Sequence, residues 1–257
     1  MGIVNVTPDS FSDGGNYYNS EAALSHALAL SDDGADIIDI GGESSRPGAS
    51  PVSEDEELNR VMPLVEALVR RGILVSVDTT KPAIMREAGK AGAAMINDIS
   101  ALQHEGALDA VAATGAVVCL MHMKGNPDTM QKAPYYDDVV SEVEDFLTAR
   151  AKACEDFGIA RDHIVIDPGF GFGKTTEHNL DLMRALPKLR DLPYPLLVGW
   201  SRKSTLGEIA GGRNVADRLP ASLAAALAAT NAGANVLRVH DVKETLDALK
   251  VWRAMNR

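Results

Sequence analysis

Short apolar runs alternate with longer amphipathic stretches from one end of the chain to the other. The runs fall at 2–5, 37–40, 73–78, 95–98, 116–121, 164–167, 196–198 and 236–239. They are brief and mostly apolar without strict alternation, the pattern of parallel strands buried on both faces. The stretches between them carry helical spacing. Ser53-Glu54-Asp55-Glu56 has the capping-box form and predicts a helix to about Arg71, stopped by Gly72. A long helix is predicted over 136–157, ending at Gly158, and an Ala-rich one over 220–229 before Gly233. The last pattern, 242–256, places Leu246, Leu249 and Val251 near one face.

Roughly eight strand–helix units in about 250 residues match the arithmetic of a TIM (β/α)8 barrel. An open doubly wound sheet is the competitor, because a strand count does not establish closure. With no Pro/Gly/Ser-rich linker and no shift of composition, residues 1–257 are read as one α/β domain.

Composition narrows the function classes. The chain has 257 residues, with 25 Lys and Arg against 36 Asp and Glu, a formal charge of −11. That balance, with 5% aromatic residues, is not the basic footprint of a nucleic-acid binder. A small anionic substrate remains compatible where a few cations converge. Cys119 and Cys154 form no CxxC, and no apolar run reaches the length of a membrane span. A soluble, cytoplasmic protein with no membrane partner is expected.

Functional groups gather where the strands end: Asn5, Asp39, Asp78, Asn97-Asp98, His122, Asp167, Ser201-Arg202-Lys203 and Arg238-Val239-His240-Asp241. The carboxyl ends of parallel strands are where α/β folds bind ligands. Helix caps and turns explain single Asp, Asn and Ser residues. They do not explain Lys203, Arg238 and His240. Asp167-Pro168-Gly169-Phe170-Gly171-Phe172-Gly173-Lys174-Thr175 is not a Walker A loop, because Pro168 stands where its first Gly belongs. Its glycines suit close approach to a flat ligand, near Phe172 and held by Asp167. Of six histidines, His26, His104, His163 and His178 are read as surface residues, and His240 beside Arg238 as functional. Those two are expected to point together at one anionic group. The polar loops at 5–15 and 41–48 read as mobile lids.

These motifs resemble dihydropteroate synthase. The resemblance rests on Met1-Gly-Ile-Val-Asn-Val-Thr-Pro-Asp-Ser-Phe-Ser-Asp-Gly-Gly15, Gly41-Gly-Glu-Ser-Ser-Arg-Pro-Gly48, Ser76-Val-Asp-Thr-Thr-Lys-Pro82, Ile96-Asn-Asp-Ile99 and Met121-His-Met123. Asp167-Pro-Gly-Phe-Gly-Phe-Gly-Lys174, Ser201-Arg-Lys-Ser204 and Arg238-Val-His-Asp241 complete it, in order along the whole chain. The family is a TIM barrel that joins 6-hydroxymethyl-7,8-dihydropterin diphosphate to p-aminobenzoate, releasing pyrophosphate, in folate synthesis.

The resemblance implies a pterin pocket of Asp78, Asn97, Met121, Asp167, Gly171, Phe172 and Lys203. It implies diphosphate contacts at Asn5, Ser45, Arg46, Arg238 and His240, with Mg²⁺ on Asn5. The p-aminobenzoate and sulfonamide pocket falls to Phe11, Ser45, Arg46, Pro47, Lys203 and Ser204, with Asp13 on a lid. Asp78, Asp167, Lys203, Arg238 and His240 are the expected catalytic set, acting in an SN1-like order, in a homodimer. Ser45 stands where the family commonly has Thr, and Trp200 stands where a smaller residue or Met is more usual, a change expected to reshape the pocket rim. The chain begins at the first barrel strand, without the segment that usually precedes it; a truncated start is expected to cost stability more than chemistry. No Phe-Gly insertion stands near Ser204, so sulfonamide sensitivity is expected. A pterin-binding methyltransferase domain and a non-catalytic pterin binder are the alternatives.

Overall fold

The computed structural model describes residues 1–7, 16–44, 51–127 and 129–256. Eight parallel strands form its centre: β1 (Gly2–Asn5), β2 (Ile38–Gly41), β3 (Val75–Asp78), β4 (Met95–Asp98), β5 (Val117–Met121), β6 (Ile164–Asp167), β7 (Leu197–Val198) and β8 (Val236–Leu237). β1 to β6 pair in chain order as one sheet, and β7 pairs with β8. Single parallel bridges, Ile166 to Leu196 and Gly2 to Val239, join the remaining edges. The strand order is therefore cyclic, as in a (β/α)8 barrel.

The helices between them are α1 (Asn16–Asp32), α2 (Glu54–Val69), α3 (Pro82–Lys90), α4 (Ala107–Ala112), α5 (Val139–Phe157), α6 (Thr176–Arg184), α7 (Leu186–Arg190), α8 (Ser204–Ile209), α9 (Leu219–Asn231) and α10 (Val242–Met255). In α2, Val61, Leu64, Val65 and Leu68 recur at helical spacing and are buried. Ser53 accepts the Glu56 N–H, an N-cap worth about 1 kcal/mol. Glu56 itself pairs with Arg60, so only half of the predicted capping box is built. The helix predicted from 136 starts three residues later. Asp138 caps it by accepting the Val140 and Ser141 N–H groups, and Gly158 ends it at φ 103°. Tyr136 is buried instead in the loop, its hydroxyl donating to the Gly173 carbonyl at 2.8 Å.

Side chains alternate along each strand, and the two sets meet different surroundings. Val4, Ile38, Ile40, Val75, Val77, Ile96, Val118, Leu120, Ile164, Ile166 and Val198 join the large cluster shared with the helices. The other parity faces the barrel axis. Its lower layer, Met1, Met95, Cys119, Val165 and Leu197, is a separate apolar cluster with Ile37, Val117 and Val236. One step of two residues up the same strands brings the axis to Asp39, Asp78, Asn97, Met121, Asp167, Gly199 and Arg238. Parity also splits Asn97 from Asp98. Asp98 is fully buried on the outward side and accepts the Ser100 and Leu102 N–H groups, both at 2.7 Å. It thereby holds the left-handed pair Ala101 and Leu102 (φ 51° and 55°).

Candidate active site

Two groups of side chains make up the upper layer. In the first, Arg238 donates through Nε to Asp39 at 2.6 Å and through its terminal nitrogen to Asp78 at 2.8 Å. Asn97 reaches the same Asp39 oxygen at 3.5 Å. Asp39 is fully buried and its other oxygen has no donor. Burial pushes the Asp78 carboxyl up to about 7, with Arg238 pulling it down and Asp39 pushing it up again. Burial works against the Arg238 charge, but Asp39 and Asp78 outweigh it and hold the guanidinium ionised.

In the second group, Asp167 ends β6 and accepts the Gly169 N–H at 2.7 Å. Burial raises its carboxyl, opposed first by the charge of Lys203. Lys203 donates to the Phe170 carbonyl, and its ammonium lies 4.4 Å from the centre of the Phe172 ring. Burial lowers the Lys203 ammonium to about 8, with Asp167 acting to raise it. Gly171 is where bare backbone is required: at φ 80°, a Cβ there would lie 3.0 Å from the Lys203 side chain. Met121 pairs in register with Asp167 and is buried beside them.

The structure thus brings Asp78, Asn97, Met121, Asp167, Gly171, Phe172, Lys203 and Arg238 to one end of the barrel. His240 is nearby but engaged otherwise: its Nδ1 lies 3.1 Å from the Ser201 hydroxyl. Burial, then Arg238, lowers the imidazole to about 4, so it is neutral at pH 7. The Arg238 guanidinium is committed to two carboxylates, rather than standing with His240 as the strand parity predicts. Ser204 opens α8 and is exposed. Phe11, Asp13, Ser45, Arg46 and Pro47 lie outside the described residues.

Three residues depart from the sequence expectations. Trp200, expected to reshape the rim, is 4% exposed, stacked on Phe170 at 4.6 Å, with its indole N–H donating to Thr205 at 2.7 Å. His178 is not a bare surface residue. Its ring accepts the Thr175 N–H while Thr175 accepts the His178 N–H, a reciprocal cap on α6. Asp39, given no role beyond its strand end, is the principal partner of Arg238; the inward parity of β2 is the signal that marks it.

Asn5, at the end of β1, offers the amide oxygen that a hard cation takes. The Asn5 amide oxygen and an Asp78 oxygen each lie 3.8 Å from the point a Cβ on Gly41 would occupy. Among the described residues no three His, Cys, Asp or Glu side chains converge as a metal cluster. No described helix is long and apolar enough to cross a membrane.

Residues 1–240 match the pterin binding enzyme family. The chain is 52% identical to the dihydropteroate synthase of Escherichia coli K12 over 257 residues, covering 99% of this chain and 90% of that protein. The Xanthomonas albilineans dihydropteroate synthase solved with 4-aminobenzoic acid superposes with a TM-score of 0.94 at 53% identity, over 100% of this chain and 92% of the other. The same enzyme in complex with 7,8-dihydropteroate gives 0.91 at 51%, with the same coverage. The Yersinia pestis dihydropteroate synthase in a sulfonamide drug complex gives 0.94 at 50%, over 100% and 93%.

Proposed function

The chain belongs to the pterin-binding enzymes and, among them, to the dihydropteroate synthase family of transferases, and from that premise we propose how its own residues divide the work. The substrate pair is 6-hydroxymethyl-7,8-dihydropterin diphosphate and p-aminobenzoate. The products are 7,8-dihydropteroate and pyrophosphate. The observation that carries this reading is the upper layer itself: ionisable donors and acceptors enclosed at the strand ends, directly above an apolar floor.

A pterin edge offers ring N–H and amino donors, which an ionised Asp167 accepts, and carbonyl and ring-nitrogen acceptors, which Lys203 serves. Asn97, with one donor and one acceptor end, suits the same edge. Met121 and Phe172 supply apolar walls. Arg238 and His240 face the diphosphate, with Ser45 and Arg46 from the loop after β2. To reach it, Arg238 must give up part of its pairing with Asp39 or Asp78. Phe11, Ser45, Arg46, Pro47 and Ser204 line the p-aminobenzoate end, and Asp13 belongs to the first lid.

Asn5 suits Mg²⁺, since a neutral amide oxygen leaves room for the waters and phosphate oxygens that this ion prefers. Bound there, the ion would stabilise charge on the departing pyrophosphate. Breakage of the methylene C–O bond sends its electron pair to pyrophosphate. The electron-rich dihydropterin delocalises the positive charge left on carbon, and the carboxylates of Asp78 and Asp167 favour it. The lone pair of the aryl amine then forms the C–N bond and the amine loses a proton. A homodimer in the cytoplasm, open to competition by sulfonamides at the p-aminobenzoate end, completes the reading.

The test is pyrophosphate release from the purified protein with the pterin diphosphate and Mg²⁺, with and without p-aminobenzoate. Release that depends on p-aminobenzoate, with dihydropteroate appearing in step, is expected. Pterin binding without release under any condition contradicts the synthase reading and favours a non-catalytic or methyl-transferring protein.

A further inference from the structure

The chemistry above gives no task to Lys174, at the end of the Asp167–Lys174 loop, and it is 1% exposed. Each described hydrogen-bond partner of its side-chain nitrogen is an imidazole or a backbone carbonyl. That nitrogen lies 2.9 Å from Nδ1 of His122, 2.9 Å from the Gly169 carbonyl and 3.0 Å from the Phe172 carbonyl, with the His122 carbonyl further off at 3.3 Å. Burial lowers the Lys174 amine well below its ordinary value. Its nitrogen shares one hydrogen bond with His122 Nδ1, and the two near carbonyls accept from its N–H groups. Burial, then the charge of Lys174, keeps that imidazole neutral. Burying an amine this deeply costs its solvation, so its place here calls for a reason.

The reason lies in what the three near partners belong to. Two are carbonyls of the loop after β6; the third is on the loop after β5. The loops press backbone to backbone. Gly169 has φ 68°, and a Cβ there would stand 1.9 Å from the His122 carbonyl oxygen. Gly173 has φ 62°, and its Cβ would stand 2.3 Å from the Lys124 carbonyl. Within the stretch that Lys174 fixes, the Gly169 N–H holds Asp167, the Phe170 carbonyl accepts from Lys203, and the Phe172 ring lies under Lys203.

We propose that Lys174, through His122 and the carbonyls of Gly169 and Phe172, is a positioning residue for the pterin subsite. Enclosed behind the loop, it acts through Asp167 and Lys203. This rests on the reading of the site given above, and it makes the His122 ring a working part of that subsite. A merely structural lysine would lower stability and leave ligand affinity alone. A positioning lysine changes the pterin affinity and spares the second substrate.

The experiment compares Lys174→Met, His122→Leu and His122→Asn with wild type. Binding of a dihydropterin is read by direct titration, KM is read for each substrate, and thermal melting follows the fold. Lys174→Met is expected to weaken pterin binding roughly tenfold to a hundredfold, the scale of a small misplacement of binding groups, while the KM for p-aminobenzoate moves by less than about twofold. His122→Leu should lose part of the same affinity. His122→Asn, which puts an amide near the Nδ1 position, should recover most of it. Should Lys174→Met fail to fold, the two His122 variants decide the matter. Unchanged pterin affinity in a less stable Lys174→Met protein overturns the proposal, as does an Asn variant no better than Leu. A wild type that binds pterin but forms no dihydropteroate contradicts the synthase reading alone, because the titration needs no turnover.

Discussion

The floor and the upper layer of the barrel axis are built from the same strands, one alternate residue apart, and they have opposite chemistry. Val165 is succeeded by Asp167 on β6, Met95 by Asn97 on β4, and Val236 by Arg238 at the end of β8. The side chains of the floor meet in apolar contact. The layer above it is held by ion pairs and backbone N–H groups, and its members shift one another's protonation. The comparison teaches that the apolar plug below makes the charged layer effective. It excludes water from one side of Asp39, Asp78 and Asp167, so that charges placed there act at low dielectric.

The comparison breaks most sharply at Arg238. Arg238→Met leaves Asp39 and Asp78 facing each other without a cation, and a loss of about 3–5 kcal/mol in stability is expected. The sign with pH is defined. A carboxyl raised by folding contributes stability below its unfolded pKa and loses it as pH climbs through the folded one. With Asp78 already at about 7, the variant should unfold more readily at pH 8 than at pH 5, read by chemical denaturation at both. Equal stability at the two pH values would remove the ion-pair account. Next comes Asp167→Ala or Lys203→Ala, each expected to cost roughly 2–4 kcal/mol in transition-state stabilisation, seen as a fall in kcat/KM for the pterin substrate.

A subtler change keeps the charge and moves only its titration. Lys203 is lowered to about 8, so its ammonium is lost as pH rises through that value, and kcat/KM should decline there. Lys203→Arg stays protonated and should carry that decline to higher pH; an alkaline limb left in place would assign it to another group. The smallest expected effect is at Asn5. Asn5→Ala should raise the Mg²⁺ concentration needed for half-maximal turnover while leaving pterin binding in place, and an unchanged Mg²⁺ titration would move the ion elsewhere.

Much of this layer was legible because strand periodicity is local. An apolar run ending in Asp or Asn places that residue at the carboxyl end, and counting by twos says which way it faces. Asp78, Asn97 and Asp167 follow from that alone. β7 and β8 end before Gly199 and Arg238, respectively, and cyclic closure through single bridges is a property of pairing that no single run carries. The burial of Trp200 is not legible in the sequence because it depends on stacking against Phe170, a contact between different strand ends. Lys174 was invisible for a similar reason. Its partners are carbonyls aimed by positive-φ glycines, and orientation of that kind emerges only once two loops are packed together. α5 starts at Val139 because the Asp138 side chain caps it there, and because Tyr136 finds its partner in another loop.

The most direct measurement is a pair of titrations with a dihydropterin, on Asp167→Asn and Val165→Ala. The two sites share one strand and one face. Asp167→Asn should lose roughly a hundredfold in affinity with a small change in melting temperature, since one acceptor at the pterin edge becomes a donor. Val165→Ala should lose about 1–3 kcal/mol in stability and keep its affinity. The opposite pattern, with affinity following the floor and indifferent to Asp167, would contradict the claim that chemistry resides in the upper layer alone.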